Sequence, residues 1–219
     1  MAGLRYPTLI FDWDGTLIDS IPRIVRCFQE SFRQLGLTPP ADNAIQATIG
    51  LPIATALRQV APNEAVLPEL AALYRTIWRG DSVPQATLFD GVPDMLQTLK
   101  DAGYQLLIGT GKSRVGLERE MNNNGVAPFF SHSLCGDESF PKPDPRFLTE
   151  LCRIAGVTPN ICLMIGDSDL DMAMAEDVPM DAVAVTSGSV SRAVLMRHAP
   201  VACLALATEL PAWLEPEPK

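Results

Sequence analysis

Two aspartates near the start of the chain have the types and the spacing that could do chemistry. Asp12 and Asp14 follow a short apolar run at residues 8–11, which is typical of a buried strand. If the extended backbone continues, its two-residue period places both carboxylates on one face, and Gly15 then allows a sharp turn. Paired carboxylates at a strand end could hold a metal ion or act on a phosphoryl group. The alternative is a surface loop with two solvated aspartates.

Two later segments add groups that could bind an anion. Thr110 and Gly111 follow a strand predicted over residues 104–109 and precede a predicted helix. A hydroxyl, a bare backbone and a helix N-terminus could together cradle a phosphate there. Lys142 lies in a loop stiffened by three prolines, which would hold its ammonium ready for an anion. The alternatives are that Thr110 only caps the helix and that Lys142 is solvated.

A further acidic segment follows the strand predicted over residues 161–165. Asp167, Asp169 and Asp171 place three carboxylates within five residues, which favours a hard cation that takes oxygen ligands. An EF-hand is excluded because the glycine and the glutamate that its loop requires are missing. Asp167 and Asp171 share a face if a helix begins here. The alternative is an acidic helix N-terminus that is favourable to the helix dipole.

The order of the predicted strands and helices that must position these groups indicates an α/β fold. From residue 88 onward, predicted strands alternate with predicted helices, which indicates a doubly wound parallel sheet with a Rossmann-like core. Residues 18–87 show helical spacing without a strong strand, so we predict that they form an inserted, all-helical cap subdomain. The predicted core then consists of residues 1–17 and residues 88–219.

The predicted sheet brings the candidate groups together. Strand ends of the same sense lie at one edge of a parallel sheet, and this is where open α/β sheets bind ligands. We therefore expect five carboxylates, a lysine and a hydroxyl to converge at that edge. Carboxylates that are crowded in this way repel one another, so the cluster needs a cation.

The bulk composition narrows the possible partners and locations. The 219 residues include 17 Lys and Arg against 26 Asp and Glu, and a net charge of −9 argues against nucleic acid or an anionic membrane as the partner. The five cysteines form no Cys-x-x-Cys pair, and we expect them to be reduced. We predict neither a signal region nor a membrane-spanning helix, and hence a cytoplasmic protein, either a monomer or a homodimer.

These residues resemble the four motifs of the haloacid dehalogenase superfamily, in its phosphatase branch. The resemblance covers nearly the whole chain, with the motifs in the right order and the helical cap after the first of them. The loop around Gly50 resembles the cap loop that faces the active site in phosphoglycolate phosphatase-like members. Two departures are Gly111, where the family often has Asn, and Asp177-Val178, near the usual place of an Ala-Gly pair. The matching segments are Asp12-x-Asp14-Gly15-Thr16, Thr110, Lys142 in Lys-Pro-x-Pro, and Gly166-Asp167-x-x-x-Asp171.

The resemblance implies a Mg²⁺-dependent reaction in which the first two acids have different roles. Asp12 would attack the phosphorus and form an aspartyl-phosphate, and Asp14 would act first as general acid and then as general base. The metal ligands would be the Asp12 carboxylate, the Asp14 main-chain carbonyl and Asp167, with Asp171 in support. Whether Asp169 or Asp171 is the second acid of the metal site stays open.

The resemblance also implies a small, phosphoglycolate-like phosphorylated metabolite as the substrate. Thr110 and Lys142 would bind the phosphoryl oxygens beside the bare backbone of Gly111, and Lys142 would offset the charge of the nucleophile. In the cap, Gly50 and Arg58 are the candidates for substrate choice. An arginine suits a substrate carboxylate because the two groups can form parallel hydrogen bonds.

The rival activities can be compared through single residues that each activity would require or lack. A dehalogenase lacks the second acid that Asp14 provides, and a phosphonate-cleaving enzyme needs a cap lysine, whereas the first lysine here is Lys100. A phosphosugar mutase or a pyrophosphatase of the same superfamily stays an alternative, as does a phosphate-binding regulatory module without turnover. A nucleotide-binding loop at residues 111–113 is disfavoured because Leu106 stands where its first glycine must be.

Overall fold

The computed structural model describes residues 4–215. Residues 1–3 and 216–219 lie outside the described residues. The prediction that the chain start has no signal region therefore falls partly on residues that are not described. The strands are β1 Thr8–Phe11, β2 Gln105–Thr110, β3 His132–Cys135, β4 Cys162–Gly166, β5 Asp181–Val185 and β6 Ala202–Leu204. All six are parallel and form one sheet in the order β3-β2-β1-β4-β5-β6, which confirms the predicted α/β fold.

Ten α-helices accompany the sheet within residues 4–215. They are α1 Ile21–Gln34, α2 Asp42–Gln46, α3 Ile53–Val60, α4 Leu67–Arg79, α5 Val92–Asp101, α6 Arg114–Asn123, α7 Arg146–Ala155, α8 Asp169–Glu176, α9 Arg192–Leu195 and α10 Leu210–Leu214. In this described part of the chain, no helix has both the length and the apolar composition that crossing a bilayer requires.

Successive residues of the central strands pack against helices on opposite faces of the sheet. Leu9 and Phe11 of β1 belong to an apolar cluster that includes residues of α5, α6 and α10. Ile10 belongs to a second cluster, with residues of α7, α8 and α9. Because helices cover both faces, the central strands contain runs of consecutive apolar residues instead of an alternation of apolar and polar residues.

Helices α1 to α4 form a helical insertion, residues 21–79, between β1 and β2. They have an apolar cluster of their own, which includes Phe28 of α1 and Leu70 of α4. The chain segments that enter and leave the insertion lie side by side, since Asp19 N donates a hydrogen bond to Thr87 O at 2.9 Å. The insertion is therefore connected to the core through two adjacent strand-like segments.

Observed and predicted elements differ mainly at their ends. The strands predicted over residues 104–109 and 161–165 each lie one residue later, as β2 and β4. The last helix of the insertion begins as a 3₁₀ turn, Glu64–Val66, and becomes α-helical from Leu67. The Asn63 side chain accepts a hydrogen bond from Ala65 N at 3.0 Å and so caps that turn.

Candidate active site

Three buried carboxylates meet where the two central strands end. Asp12 follows β1 and Asp167 follows β4, and these strands pair directly, with Phe11 opposite Ile165. Asp171 lies in the first turn of α8. One carboxylate oxygen of each acid lies within 4.8 Å of the others. The parallel sheet thus brings together acids that are far apart in the chain, and we call Asp12, Asp167 and Asp171 the carboxylate cluster.

One buried ammonium group, that of Lys142, forms ion pairs with this cluster. The Nζ atom of Lys142 lies 2.9 Å from Asp12 Oδ1 and 2.6 Å from Asp171 Oδ1. Burial lowers the pKa of Lys142, but the two carboxylates raise it more, and the result lies above the usual value. The lysine therefore stays charged. Three carboxylates around one ammonium still leave an excess of negative charge.

Neighbouring groups donate hydrogen bonds to some carboxylate oxygens of the cluster but not to all of them. Asp171 Oδ2 accepts a hydrogen bond from Ser168 Oγ at 2.5 Å. Asp167 Oδ1 accepts one from Thr16 Oγ1 at 2.7 Å. Asp12 Oδ1 is buried and close to the ammonium group, but that contact lacks hydrogen-bonding angles. This oxygen consequently has no hydrogen-bond donor among residues 4–215.

The surroundings disfavour negative charge on two of the acids unless a cation is present. Burial raises the pKa of Asp12 to about 7, and the Asp171 carboxylate adds to the rise while Lys142 opposes it. Burial, together with Asp12 and Asp171, raises the pKa of Asp167 well above its usual value. Hard oxygen donors, one of them without a hydrogen bond, fit a small divalent cation.

Two glycines leave room for Asp167. A Cβ atom at Gly188 would lie 1.7 Å from Asp167 Oδ2, and one at Gly15 would lie 2.5 Å from the same oxygen. Gly15 also has a φ of +82°, which larger residues rarely adopt. Close contact with the backbone therefore holds this carboxylate in place.

Asp14 and Asp169 lie outside the carboxylate cluster. Asp14 lines a cavity, and its Oδ1 lies 3.1 Å from the Nζ atom of Lys112. Asp169 is mostly exposed, with its Oδ1 2.8 Å from His198 Nε2. The structure therefore places Asp171, and not Asp169, beside the other two acids.

The residues expected to cradle phosphate lie at the end of β2. Thr110 is buried, and its Oγ1 accepts a hydrogen bond from Lys112 N at 3.2 Å. Gly111 packs against the helical insertion, because a Cβ there would lie 2.0 Å from the carbonyl oxygen of Gly50. The asparagine that is frequent at this position in the resembled family would not fit unless the Gly50 loop moved.

A cavity of about 670 Å³ lies between the helical insertion and this edge of the sheet. Asp12, Asp14, Thr110, Gly111 and Gly50 all line it. Much of its remaining wall is apolar and comes from the insertion. These apolar residues include Ile24, Phe28, Leu51, Ile53 and Tyr74.

Arg58, the arginine expected to select the substrate, does not line this cavity. It lies in the last turn of α3 and is largely exposed, and its Nε lies 3.3 Å from a carboxylate oxygen of Glu64. Arg75 and Arg79 of α4 and Arg119 of α6 line the cavity instead. None of these three has an acidic partner within 4.0 Å in the described part of the chain. The expectation for Arg58 is corrected accordingly.

Several side chains that border the site were not singled out from the sequence. Thr16 lies within the first motif, and Ser168 forms a capping box with Asp171, a Ser-x-x-Asp pattern that is readable in the sequence. Glu120 and Trp78 are joined by a hydrogen bond of 3.1 Å. No local pattern indicates that contact, because the two residues belong to different parts of the fold.

A family model for haloacid dehalogenase-like hydrolases matches residues 9–185, which include the whole carboxylate cluster. The chain belongs to this family. A curated relative, the probable phosphatase IndB of Dickeya dadantii (strain 3937), is 34% identical over 190 residues, covering 83% of this chain and 82% of the relative. The phosphoglycolate phosphatase of Agrobacterium fabrum is 28% identical over 189 residues, covering 83% and 81%.

Solved structures of the family share the fold. A haloacid dehalogenase-like family hydrolase from Streptococcus pneumoniae superposes with a TM-score of 0.84 at 24% sequence identity. The superposition covers 96% of this chain and 99% of that one. The likeness therefore includes the helical insertion as well as the sheet.

Proposed function

We propose that this hydrolase is a Mg²⁺-dependent phosphatase that acts on a small phosphorylated metabolite through an aspartyl-phosphate. The observation that carries the proposal is the carboxylate cluster with its one buried lysine, beside a cavity that also receives Asp14. This arrangement provides a nucleophile and, separately, a carboxylate that can transfer a proton.

Asp12 is the nucleophile of the proposed reaction. One of its oxygens attacks the phosphorus, the bond from phosphorus to the ester oxygen breaks, and Asp14 gives a proton to the departing oxygen. Water then attacks the phosphorus of the aspartyl-phosphate and passes a proton to Asp14. The bond between the Asp12 oxygen and phosphorus breaks, so that phosphate is released and Asp12 is restored. Lys142 offsets the charge at the nucleophile, and the Thr110 hydroxyl binds a phosphoryl oxygen.

Mg²⁺ would be held by the carboxylates of Asp12 and Asp167 and by the main-chain carbonyl of Asp14. When bound, the ion would neutralise the clustered carboxylates and the charge that develops on the phosphoryl oxygens. Asp171 supports these ligands instead of binding directly, since both of its oxygens already contact neighbouring side chains.

The helical insertion serves as a cap that selects the substrate. Arg75 and Arg79 of the insertion and Arg119 of α6 line the cavity, have no acidic partner among residues 4–215, and would bind a substrate carboxylate. A phosphoglycolate-like substrate carries such a group, and relatives named phosphoglycolate phosphatase support this choice.

A screen of phosphorylated metabolites with Mg²⁺, measured by release of inorganic phosphate, tests the proposal. We expect a preference for small phosphorylated carboxylic acids. Isomerisation of a sugar phosphate without phosphate release would indicate a mutase, and cleavage of pyrophosphate would indicate a pyrophosphatase. Binding without turnover would indicate a regulatory module.

The variants Arg75→Ala and Arg79→Ala test how the cap selects substrates. Each should raise KM for a carboxylate-bearing substrate about tenfold, because a charged hydrogen bond is lost. Nitrophenyl phosphate, which lacks the carboxylate, should be hydrolysed as before. Arg58→Ala is the matched control and should change neither value. Equal losses on both substrates would remove these arginines from substrate recognition.

The five cysteines are free thiols, and four of them are buried. This state supports the proposed cytoplasmic location, where thiols are kept reduced. We propose a monomer or a homodimer, which light scattering in solution would distinguish.

A further inference from the structure

A second lysine, Lys112, is largely but not fully buried at the site and has no role in the reaction proposed above. Its Nζ lies 3.1 Å from Asp14 Oδ1 and 3.3 Å from Glu120 Oε1, and its side chain is 10% exposed. One carboxylate oxygen of Asp14 therefore lies at ion-pair distance from this ammonium group, in a contact that lacks hydrogen-bonding angles.

Glu120 connects this lysine to both parts of the fold. Its Oε2 accepts a hydrogen bond from Trp13 Nε1 at 2.7 Å, and its Oε1 accepts one from Trp78 Nε1 at 3.1 Å. Trp13 lies in the chain between Asp12 and Asp14, whereas Trp78 belongs to α4 of the helical insertion. Glu120 consequently has one partner in the core and one in the helical insertion.

Trp78 is itself held in place. Its carbonyl oxygen accepts a hydrogen bond from Arg23 Nη2 at 2.7 Å, and its ring stacks on Tyr74 at 5.8 Å between centroids. The Nζ atom of Lys112 lies 4.6 Å from the centroid of the Trp78 ring, within the range of a cation–π contact. The position of the ammonium group thus depends on an indole that the insertion supplies.

We infer that Lys112 is a positioning residue that holds Asp14 in the orientation required for proton transfer, and that Glu120 and Trp78 hold Lys112. The inference rests on the proposed function, in which Asp14 moves the proton. Lys112 engages Oδ1 of Asp14 and leaves the other oxygen available to the substrate. Because Trp78 belongs to the insertion, the arrangement is complete only when the insertion is seated on the core, as it is here.

The variant Lys112→Met tests this role, because it keeps a chain of similar length and removes the charge. With an alkyl phosphate, whose leaving oxygen needs a proton, kcat should fall about tenfold or more while KM changes little. With nitrophenyl phosphate, whose leaving group needs no proton, the initial burst of nitrophenol should keep its rate within about twofold. Lys100→Met, the same change at an exposed lysine of α5, is the matched control and should alter neither value.

A double-mutant cycle separates positioning from a purely structural role. If Lys112 acts through Asp14, then Lys112→Met should change kcat less than about twofold once Asp14→Asn is present. A full tenfold loss in that background would overturn the inference. So would an equal loss on both substrates in the single variant, since a weakened fold or weakened phosphate binding does not depend on the leaving group.

Trp78→Phe provides a second variant, because removing a buried ammonium beside two carboxylates can prevent folding. It keeps one aromatic ring and removes the five-membered ring whose N–H group reaches Glu120. We expect a loss of about threefold in kcat with the alkyl phosphate and an unchanged burst rate with nitrophenyl phosphate. No loss with the alkyl phosphate, or an equal loss in the nitrophenol burst rate, would contradict the link to the insertion. Wild-type protein that hydrolyses no phosphate ester would instead overturn the proposed function, and this inference with it.

Discussion

Two ionic groups flank Trp13, and they have different charge balances. The carboxylate cluster has three acids around the single ammonium of Lys142, and one of its buried oxygens lacks a hydrogen-bond donor. The group around Asp14 has two acids, Asp14 and Glu120, around the ammonium of Lys112. Two indole N–H groups donate to Glu120, whereas Asp14 Oδ1, like Asp12 Oδ1, has no hydrogen-bond donor among residues 4–215. When all of its acids are ionised, the first group has an excess of two negative charges and the second has an excess of one.

The two groups also differ in their access to the cavity. The side chain of Asp12 is 3% exposed and that of Asp14 is 14% exposed. A nucleophile benefits from being held still, while a residue that exchanges protons with water must reach the cavity. Two aspartates that are only two residues apart are thus suited to different chemistry by their surroundings.

The largest loss of activity is expected when the nucleophile is removed. Asp12→Asn should lower kcat by about 10⁴-fold or more on every substrate, since no phosphoenzyme can form. Rapid-quench trapping with a labelled substrate should find an acid-stable phosphate on Asp12 in the wild-type protein and none in the variant. A label on any other residue would contradict the assignment.

A smaller and more selective loss is expected at the second acid. Asp14→Asn should slow hydrolysis of an alkyl phosphate by about 10² to 10⁴-fold, or roughly 3–5 kcal/mol of barrier, because proton transfer is lost. Nitrophenyl phosphate should still give a burst of nitrophenol and a trapped phosphoenzyme, since only the second step needs the base. Steady turnover without a burst would mean that Asp14 is not the general base.

The comparison also predicts which group responds to a cation. Mg²⁺ at about 100 times its Kd should raise the free energy of unfolding by roughly 2–3 kcal/mol in the wild-type protein and in Asp14→Asn. The gain should be much smaller in Asp167→Asn, which removes a proposed ligand from the carboxylate cluster. Thermal unfolding with and without chelator measures this effect without any assay of activity. Equal stabilisation of all three proteins would place the ion elsewhere.

The smallest effect concerns an ion pair just outside the cluster. The hydrogen bond to Glu176 raises the pKa of His198, burial opposes it, and Asp169 adds to the rise. Because the folded protein retains this proton longer than the unfolded chain, the stabilisation is full below about pH 6.5 and is lost as the pH rises through the raised value. His198→Gln should therefore cost about 0.5 kcal/mol at pH 5.5 and less at pH 9.

Urea unfolding at the two pH values measures this difference. His132→Gln, at a half-buried histidine without an acidic partner among residues 4–215, is the matched control and should show no such pH dependence. A cost at His198 that is the same at both pH values would mean that the ion pair does not contribute to stability.

Local patterns were sufficient to predict the fold class. The central strands are short apolar runs that end in glycine or acidic residues, and the helices show apolar residues at helical spacing, so both kinds of element can be identified without tertiary information. The strand order β3-β2-β1-β4-β5-β6 was not predicted, because pairing between strands depends on contacts that leave no mark within a single element.

The sequence by itself determined which groups come to the edge of the sheet. Asp12 and Asp167 directly follow strands, and parallel strands end at one edge, so their approach follows from chain order and strand direction alone. Only the tertiary structure decided that Arg75 faces the cavity while Arg58 turns away, and that Lys112 meets Asp14. Those outcomes depend on how the helical insertion packs over the core. Such packing is set by side chains distant in the chain, and it leaves no periodic signal near the residues that it positions.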